Sequence, residues 1–239
     1  MRIIIKTLLI VSSLVTVYFH YINNISSEIQ YDIYNDMNAA SYKEETTARF
    51  NALSLDFPDL SLTTLPIKGL VAKYYYLGAQ YSKALDLLNQ SKTSNPYIMY
   101  NESVKAEIFY KLGVLDSALI YAEKAFTGIP NNQKHYLDLS RTYVATGKYS
   151  KLDSIFKIVE KKNTPAMWNF YLASSLARED SISDYAKEKA KEALKKFPFS
   201  GLYSRIKLTS IYILYGKDQV DKSIEFAELG SKYFDEENY

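Results

Sequence analysis

The feature that most constrains how this chain can fold is a recurrence of similar residues every 34 positions. Small, aromatic and turn-forming residues all recur at this interval. The recurring sets are Ala84 and Ala118; Pro96 and Pro130; Gly113 and Gly147; Tyr75, Phe109 and Tyr143; and Tyr81, Leu115 and Tyr149. Several interleaved series with one period indicate a repeated supersecondary unit, and such units bury their apolar faces by stacking on one another.

Each repeated unit has the pattern of two helices joined by a turn. Ala106, Phe109 and Tyr110 fall three and four residues apart, as one face of a helix requires. Gly113 then permits a sharp turn, because glycine tolerates backbone angles that other residues avoid. A second helix with small and apolar residues on its inner face follows. Pro130 ends that helix, because proline cannot continue one.

A helix pair of this length, with small residues where the helices cross, resembles the tetratricopeptide repeat. The residues that carry the resemblance are, unit by unit, Tyr81, Ala84 and Pro96; Gly113, Ala118, Ala125 and Pro130; Tyr143, Gly147 and Tyr149; Ala186, Ala190, Ala193 and Pro198; and Tyr212, Gly216, Ser223 and Ala227. The resemblance covers nearly all of the chain after its N-terminal segment. It implies an all-α fold, a right-handed superhelical solenoid of helix pairs.

The repeat register predicts where the units lie. They cover residues 67–98, 99–132, 133–165, 166–199 and 200–239, after a degenerate first helix pair and linker at residues 23–66. The third unit departs from the pattern, because Leu152 and Val159 stand where small residues are usual. Its helices are therefore expected to cross at an altered spacing.

Residues 1–22 predict a membrane anchor or signal segment. The stretch from residue 3 to residue 22 has the length and apolar content of a bilayer-spanning helix. Arg2 and Lys6 lie on its amino side, so the positive-inside rule predicts a cytoplasmic N-terminus and an extracytoplasmic body, periplasmic in a bacterium. A cleaved signal peptide, which would make the protein secreted, is the main alternative, and Ser26-Ser27 is its best cleavage site. The buried helix of a soluble protein is the third reading.

Composition excludes several classes of function. The chain has no cysteine, so disulfides, thiolate nucleophiles and zinc-thiolate sites are ruled out. Without Arg2 and Lys6, 27 basic residues balance 27 acidic residues. A neutral body argues against nucleic acid as a partner, because phosphate binding requires a basic face.

Catalytic groups are scarce in the sequence. The two histidines are His20, within the apolar segment, and His135, which is expected near solvent at the start of a helix. No second histidine or cysteine accompanies His135, so a metal site there would lack ligands. No glycine-rich phosphate loop or nucleophile-elbow motif is present. We therefore predict a protein that is not an enzyme and that binds no cofactor or metal.

The predicted binding surface is the concave face of the solenoid, which the first helix of each pair lines. Aromatic and arginine side chains there are typical of binding hot spots. The residues expected to project into this groove are Lys73, Tyr76, Tyr100, Glu107, Tyr110, Lys134, Arg141, Trp168, Tyr171 and Arg178. The alternative for each ring is packing between repeats. The favoured function is a membrane-tethered scaffold that binds a partner protein or peptide segment.

A second function comes from a further resemblance. Residues 65–70, 74–76 and 95–97 resemble the repeat tails that follow the last membrane helix in some O-antigen-ligase-like polysaccharide proteins of Bacteroidetes. This resemblance implies a role as accessory to surface-polysaccharide assembly machinery, with Tyr76, Tyr110, Trp168 or Tyr171 stacking on sugar rings. A detached tail without a partner of its own is the third possibility.

Overall fold

The computed structural model describes residues 2–52, 59–61, 63–91, 94–159, 161–177, 182–198 and 201–216. Within these ranges the chain is helical and contains no strand, which confirms the predicted all-α class. The helices are α1 (Arg2–Asn38), α2 (Glu44–Ala52), α3 (Ile67–Leu77), α4 (Tyr81–Gln90), α5 (Tyr100–Lys111), α6 (Leu115–Gly128), α7 (Gln133–Ala145), α8 (Ser150–Val159), α9 (Pro165–Leu176), α10 (Asp184–Lys196) and α11 (Ser204–Tyr215). Short 3₁₀ turns precede α5 and α11.

The chain divides into two compact units, unit 1 (Met1–Leu112) and unit 2 (Gly113–Tyr239). In unit 1, α3 packs against α1, α4 and α5. In unit 2, α9 packs against α7, α8, α10 and α11. Helices α3 and α9 thus each contact a neighbour in sequence and also the helices two positions away.

Helix α1 runs unbroken through the predicted anchor and into the predicted first helix pair. An 18-residue stretch of α1 is apolar enough for the helix to cross a membrane. The mean hydropathy of this stretch is 1.9, and none of its residues is buried. Beyond it, one face of α1 is buried in unit 1 through Ser26, Ile29, Ile33 and Asp36. The first half of α1 is therefore exposed along its length, and the second half is part of the core of unit 1.

Small residues lie buried along the second helix of several pairs, as the repeat pattern predicts. Ala84 on α4, Ala118 on α6 and Ala186 on α10 are each fully buried. Helix α8 differs, because Leu152 and Val159 occupy the corresponding positions and are also buried.

The turns follow the predicted chemistry. Gly113 and Gly147 have φ of +75° and +69°, a region that glycine enters without strain. Asn132 accepts hydrogen bonds from the first turn of α7, and Thr164 and Ser183 do the same for α9 and α10. These caps satisfy amide groups that otherwise have no partner within the helix.

Candidate partner-binding site

Helices α3 and α5 carry the site residues predicted in unit 1. Gly69 of α3 lies beside Tyr100 at the start of α5, and Lys73 lies beside Glu107 further along. Advancing along α3 therefore also advances along α5, so the two helices are parallel neighbours. They are the first helices of two consecutive predicted repeats.

A close ion pair joins the two helices. Lys73 Nζ lies 2.5 Å from Glu107 Oε2, and the two residues are 34 positions apart in sequence. Their side chains are 15% and 11% exposed, so the pair is largely shielded from water. A shielded pair is screened weakly by salt, and it holds two equivalent repeat positions in register.

Two tyrosines occupy the next equivalent positions on the same helices. Tyr76 on α3 and Tyr110 on α5 are half-buried, and they are also separated by one repeat length. Lys73 Nζ lies 4.7 Å from the centroid of the Tyr76 ring. An ammonium near a ring face is attracted to it, so the lysine connects the ion pair to the aromatic surface.

Gly69 sets how closely the start of α5 approaches α3. A Cβ at this position would lie 2.6 Å from Asn101 Oδ1 and 3.0 Å from the Tyr100 ring. The Asn101 side chain is buried and donates to the Ser91 carbonyl at 2.7 Å. Burial raises the pKa of Tyr100, so its ring stays neutral. Tyr100 is partly buried and packs against the core of unit 1.

A buried carboxylate fixes α3 against α1 and α2. Asp36 accepts hydrogen bonds from Thr46 at 2.7 Å and from the Tyr74 hydroxyl at 2.9 Å, and Lys43 Nζ lies 2.9 Å away. Burial by itself would raise the pKa of Asp36. The hydrogen bonds and the lysine charge outweigh it and hold that pKa below its ordinary value.

The predicted residues of α7, in unit 2, lie near or at the surface. Lys134 is half-exposed and makes an ion pair of 2.9 Å with Asp138, one helical turn away. Arg141 is exposed on the same helix, two turns beyond Lys134. Both cations can reach a ligand, because neither is enclosed by the core.

Trp168 and Tyr171 do not project from the surface. Both are on α9, and their exposures are 1% and 0%. The Tyr171 ring stacks on Phe156 at 4.2 Å, and its hydroxyl donates to Asp153 at 2.8 Å. Trp168 meets Phe156 edge-on at 5.1 Å. The physical reason is packing, because both rings contact the buried Phe156 of α8 and are enclosed by the core.

The remaining predicted site residue, Arg178, lies outside the described residues. The expectation that His135 lies near solvent is wrong, because the side chain is only 3% exposed. Its burial lowers its pKa and favours the neutral ring. Within the described ranges, no three histidine, aspartate or glutamate side chains are grouped as metal ligands.

Sequence reasoning missed the residues that set the geometry of the site. Gly69 and Asn101 determine how closely α3 and α5 approach, and Asp36 holds α3 in place. A buried polar residue next to an otherwise apolar helix face was the available signal. The pairing of Lys73 with Glu107 was also readable, because residues one repeat length apart on first helices are neighbours in a solenoid.

No protein-family model matches the chain, and no curated protein matches it significantly. The resemblance to tetratricopeptide repeats therefore stays a prediction from the residues.

Proposed function

We propose that this protein is a membrane-tethered helical-repeat scaffold that binds a partner protein on the extracytoplasmic side. The observation that carries the proposal is the face formed by α3 and α5. There the equivalent pairs Lys73 with Glu107 and Tyr76 with Tyr110 lie on parallel neighbouring helices. A surface with rings beside a neutralised ion pair suits a protein segment better than a phosphate or a metal ion.

The packing of helices supports a solenoid of tetratricopeptide type. In such a solenoid the first helix of a pair contacts its own partner and the first helix of the next pair. Helix α3 packs against α4 and α5, and in unit 2 α7 packs against α8 and α9. The buried alanines on α4, α6 and α10 allow the helix backbones to approach closely.

The tether is the apolar part of α1. Lipid around its exposed apolar side chains would remove them from water, and about 20 such residues suffice to cross the hydrocarbon core. Arg2 and Lys6 precede this stretch, which favours a cytoplasmic amino end and an exported body.

The scaffold is proposed to have no catalytic activity of its own. Its two histidines are an exposed one in the apolar part of α1 and a buried one on α7. We expect neither to act as a general acid or base, because His20 lies in the proposed membrane segment and His135 is enclosed by the core.

The polysaccharide alternative has weaker support. Of the four rings expected to stack on sugars, Trp168 and Tyr171 are enclosed by the core, and Tyr76 and Tyr110 remain at the surface. We retain polysaccharide-assembly machinery as one identity that the partner protein could have.

The test is a crosslinking pull-down from native membranes with the full chain. The double variant Tyr76→Ala/Tyr110→Ala removes the two rings of the face formed by α3 and α5. The control Ile120→Ala removes an exposed apolar side chain from α6, a second helix. A protein enriched by the parent and the control, but reduced about tenfold or more in the double variant, supports the proposal. Equal recovery from the double variant with unchanged circular dichroism overturns it.

A further inference from the structure

We propose that α1 holds the loop end of unit 1 against the lipid headgroups of the membrane that α1 crosses. The loop end comprises Leu60, Thr63, Thr64, Asn95 and Tyr97. This inference rests on the proposed membrane tether, and it adds a lipid-contacting surface and a fixed orientation of unit 1.

The first argument is the continuity of α1. The helix contains no glycine or proline between Arg2 and Asn38, so no residue breaks its hydrogen-bond ladder. Side chains also bridge the junction between its exposed and buried halves. Asn24 Nδ2 donates to Glu28 Oε1 at 3.0 Å, and Ser27 Oγ donates to the Asn23 carbonyl at 2.8 Å. The junction is therefore a stretch of helix and not a flexible linker.

The second argument is the short distance from the apolar segment to the core. Ser26, the first buried residue of α1, follows Ile22 by four positions. This separation corresponds to about 6 Å of helix. The headgroup region adds only about 5–8 Å on each side of the hydrocarbon core. Ser26, where unit 1 begins to cover α1, therefore lies at the level of the headgroups.

The third argument is the direction of the helices in unit 1. Helix α2 runs antiparallel to α1, because Thr46 contacts Asp36 and Arg49 further along contacts Asp32 and Glu28. The α1–α2 hairpin thus points away from the membrane. Gly78, at the C-terminal end of α3, lies beside Tyr42 in that hairpin. The N-terminal end of α3 consequently points toward the membrane.

The loop end lies at this membrane-facing side. Residues 63–66 lead into α3, and Asn95 Nδ2 donates to the Thr64 carbonyl at 2.8 Å. The segment before α5 is thereby joined to the segment before α3. Tyr97 is 83% exposed and Leu60 is 37% exposed. An exposed tyrosine is suited to this depth, because its ring is apolar and its hydroxyl can hydrogen-bond to headgroups and water.

The experiment uses single-cysteine variants of the full chain, and the absence of native cysteine makes each label unique. Thr63→Cys and Tyr97→Cys place a fluorophore on the loop end. Gln80→Cys is the matched control at the opposite end of α3, and Val11→Cys lies within the apolar part of α1. All four are reconstituted in phosphatidylcholine nanodiscs that carry nitroxide lipids.

We expect nitroxide on the headgroup to quench the labels at positions 63 and 97, with a blue shift of their emission, and to leave the label at position 80 unquenched. Acyl-chain nitroxide should quench the label at position 11. If the label at position 11 is quenched while those at 63 and 97 behave like that at 80, the proposed contact of the loop end with the headgroups is overturned and the tether stands. If the label at position 11 is not quenched, the tether itself fails.

A second variant tests whether the unbroken α1 helix holds the loop end at the headgroups. A flexible Gly-Ser segment inserted between Asn23 and Asn24 interrupts the helix before its first buried residue, Ser26, and leaves the packed part of unit 1 unchanged. We expect headgroup quenching at positions 63 and 97 to be lost while quenching at position 11 persists. Undiminished quenching at 63 and 97 would contradict the claim that the helix holds this surface in place.

Discussion

The helices of unit 1 are joined by buried polar groups set within an apolar core, whereas those of unit 2 share a long series of contacting aromatic rings. In unit 1, Asp36 binds Thr46 and Tyr74, and Asn101 binds the Ser91 carbonyl. In unit 2 a continuous series of neighbouring rings has centroid separations between 5.1 and 6.3 Å. That series consists of Phe126, Tyr136, Phe156, Trp168, Phe197 and Tyr203.

The difference separates two ways of holding helices at a set spacing. A hydrogen bond is directional, and a buried polar group without its partner is costly, so polar contacts define one arrangement strictly. Aromatic contacts contribute through buried area and accept a range of ring angles. Unit 1 contains the second half of the long α1 helix, and its polar contacts fix the positions of α2 and α3 on that helix.

The largest effect is expected from breaking the aromatic series of unit 2. Trp168→Ala should lower the free energy of unfolding by about 3–5 kcal/mol, because it leaves a large cavity in the core. Trp168→Phe keeps most of the ring contacts and should cost much less. Urea unfolding followed by circular dichroism measures both. Equal costs for the two variants would show that ring packing does not govern unit 2.

The next effect tests the polar contacts of unit 1. Asp36→Asn should cost about 2–3 kcal/mol, because it removes charge-assisted hydrogen bonds from Thr46 and Tyr74. The pKa of Asp36 is lower in the folded chain than in the unfolded chain. Its contribution is therefore complete above about pH 4 and is lost as pH falls through the folded-state pKa.

The parent and the Asp36→Asn variant should consequently differ by a constant amount near neutral pH and converge in acid. Urea unfolding at a series of pH values measures this difference. A gap that stays constant into strong acid would remove Asp36 as the acid-sensitive group of unit 1.

A smaller effect tests the approach of α3 and α5. Gly69→Ala should cost about 2 kcal/mol, because the added methyl must displace the buried Asn101 side chain. Gly201→Ala is the matched control, since nothing lies within 4 Å of the new Cβ. Hydrogen exchange read helix by helix should show faster exchange in α3 and α5 for the first variant alone. Unchanged exchange there would mean that α3 and α5 adjust freely.

The smallest expected effect concerns the ion pair on the proposed binding face. A double-mutant cycle with Lys73→Met and Glu107→Gln should give a coupling energy of about 1 kcal/mol, because the pair is shielded but still touches water. The coupling should survive high salt better than that of the more exposed Lys134–Asp138 pair. A coupling near zero would leave packing as the main link between α3 and α5.

The sequence by itself determined the helical class and the places where helices end. The helical spacing of apolar residues and the turns at Gly113 and Gly147 are local signals, because spacing and backbone freedom act over a few residues. The apolar N-terminal helix was predictable for the same reason.

Tertiary structure alone decided which side chains reach the surface. Side chains of adjacent residues on a helix point about 100° apart. Rotation of the helix about its axis by part of a turn therefore moves a ring from the groove into the core. Trp168 and Tyr171 pack against Phe156 of α8, and no pattern within α9 indicates that neighbour. The docking of α1 onto α3 through Asp36 and Tyr74 likewise depends on residues 38 positions apart, whose meeting is a property of packing.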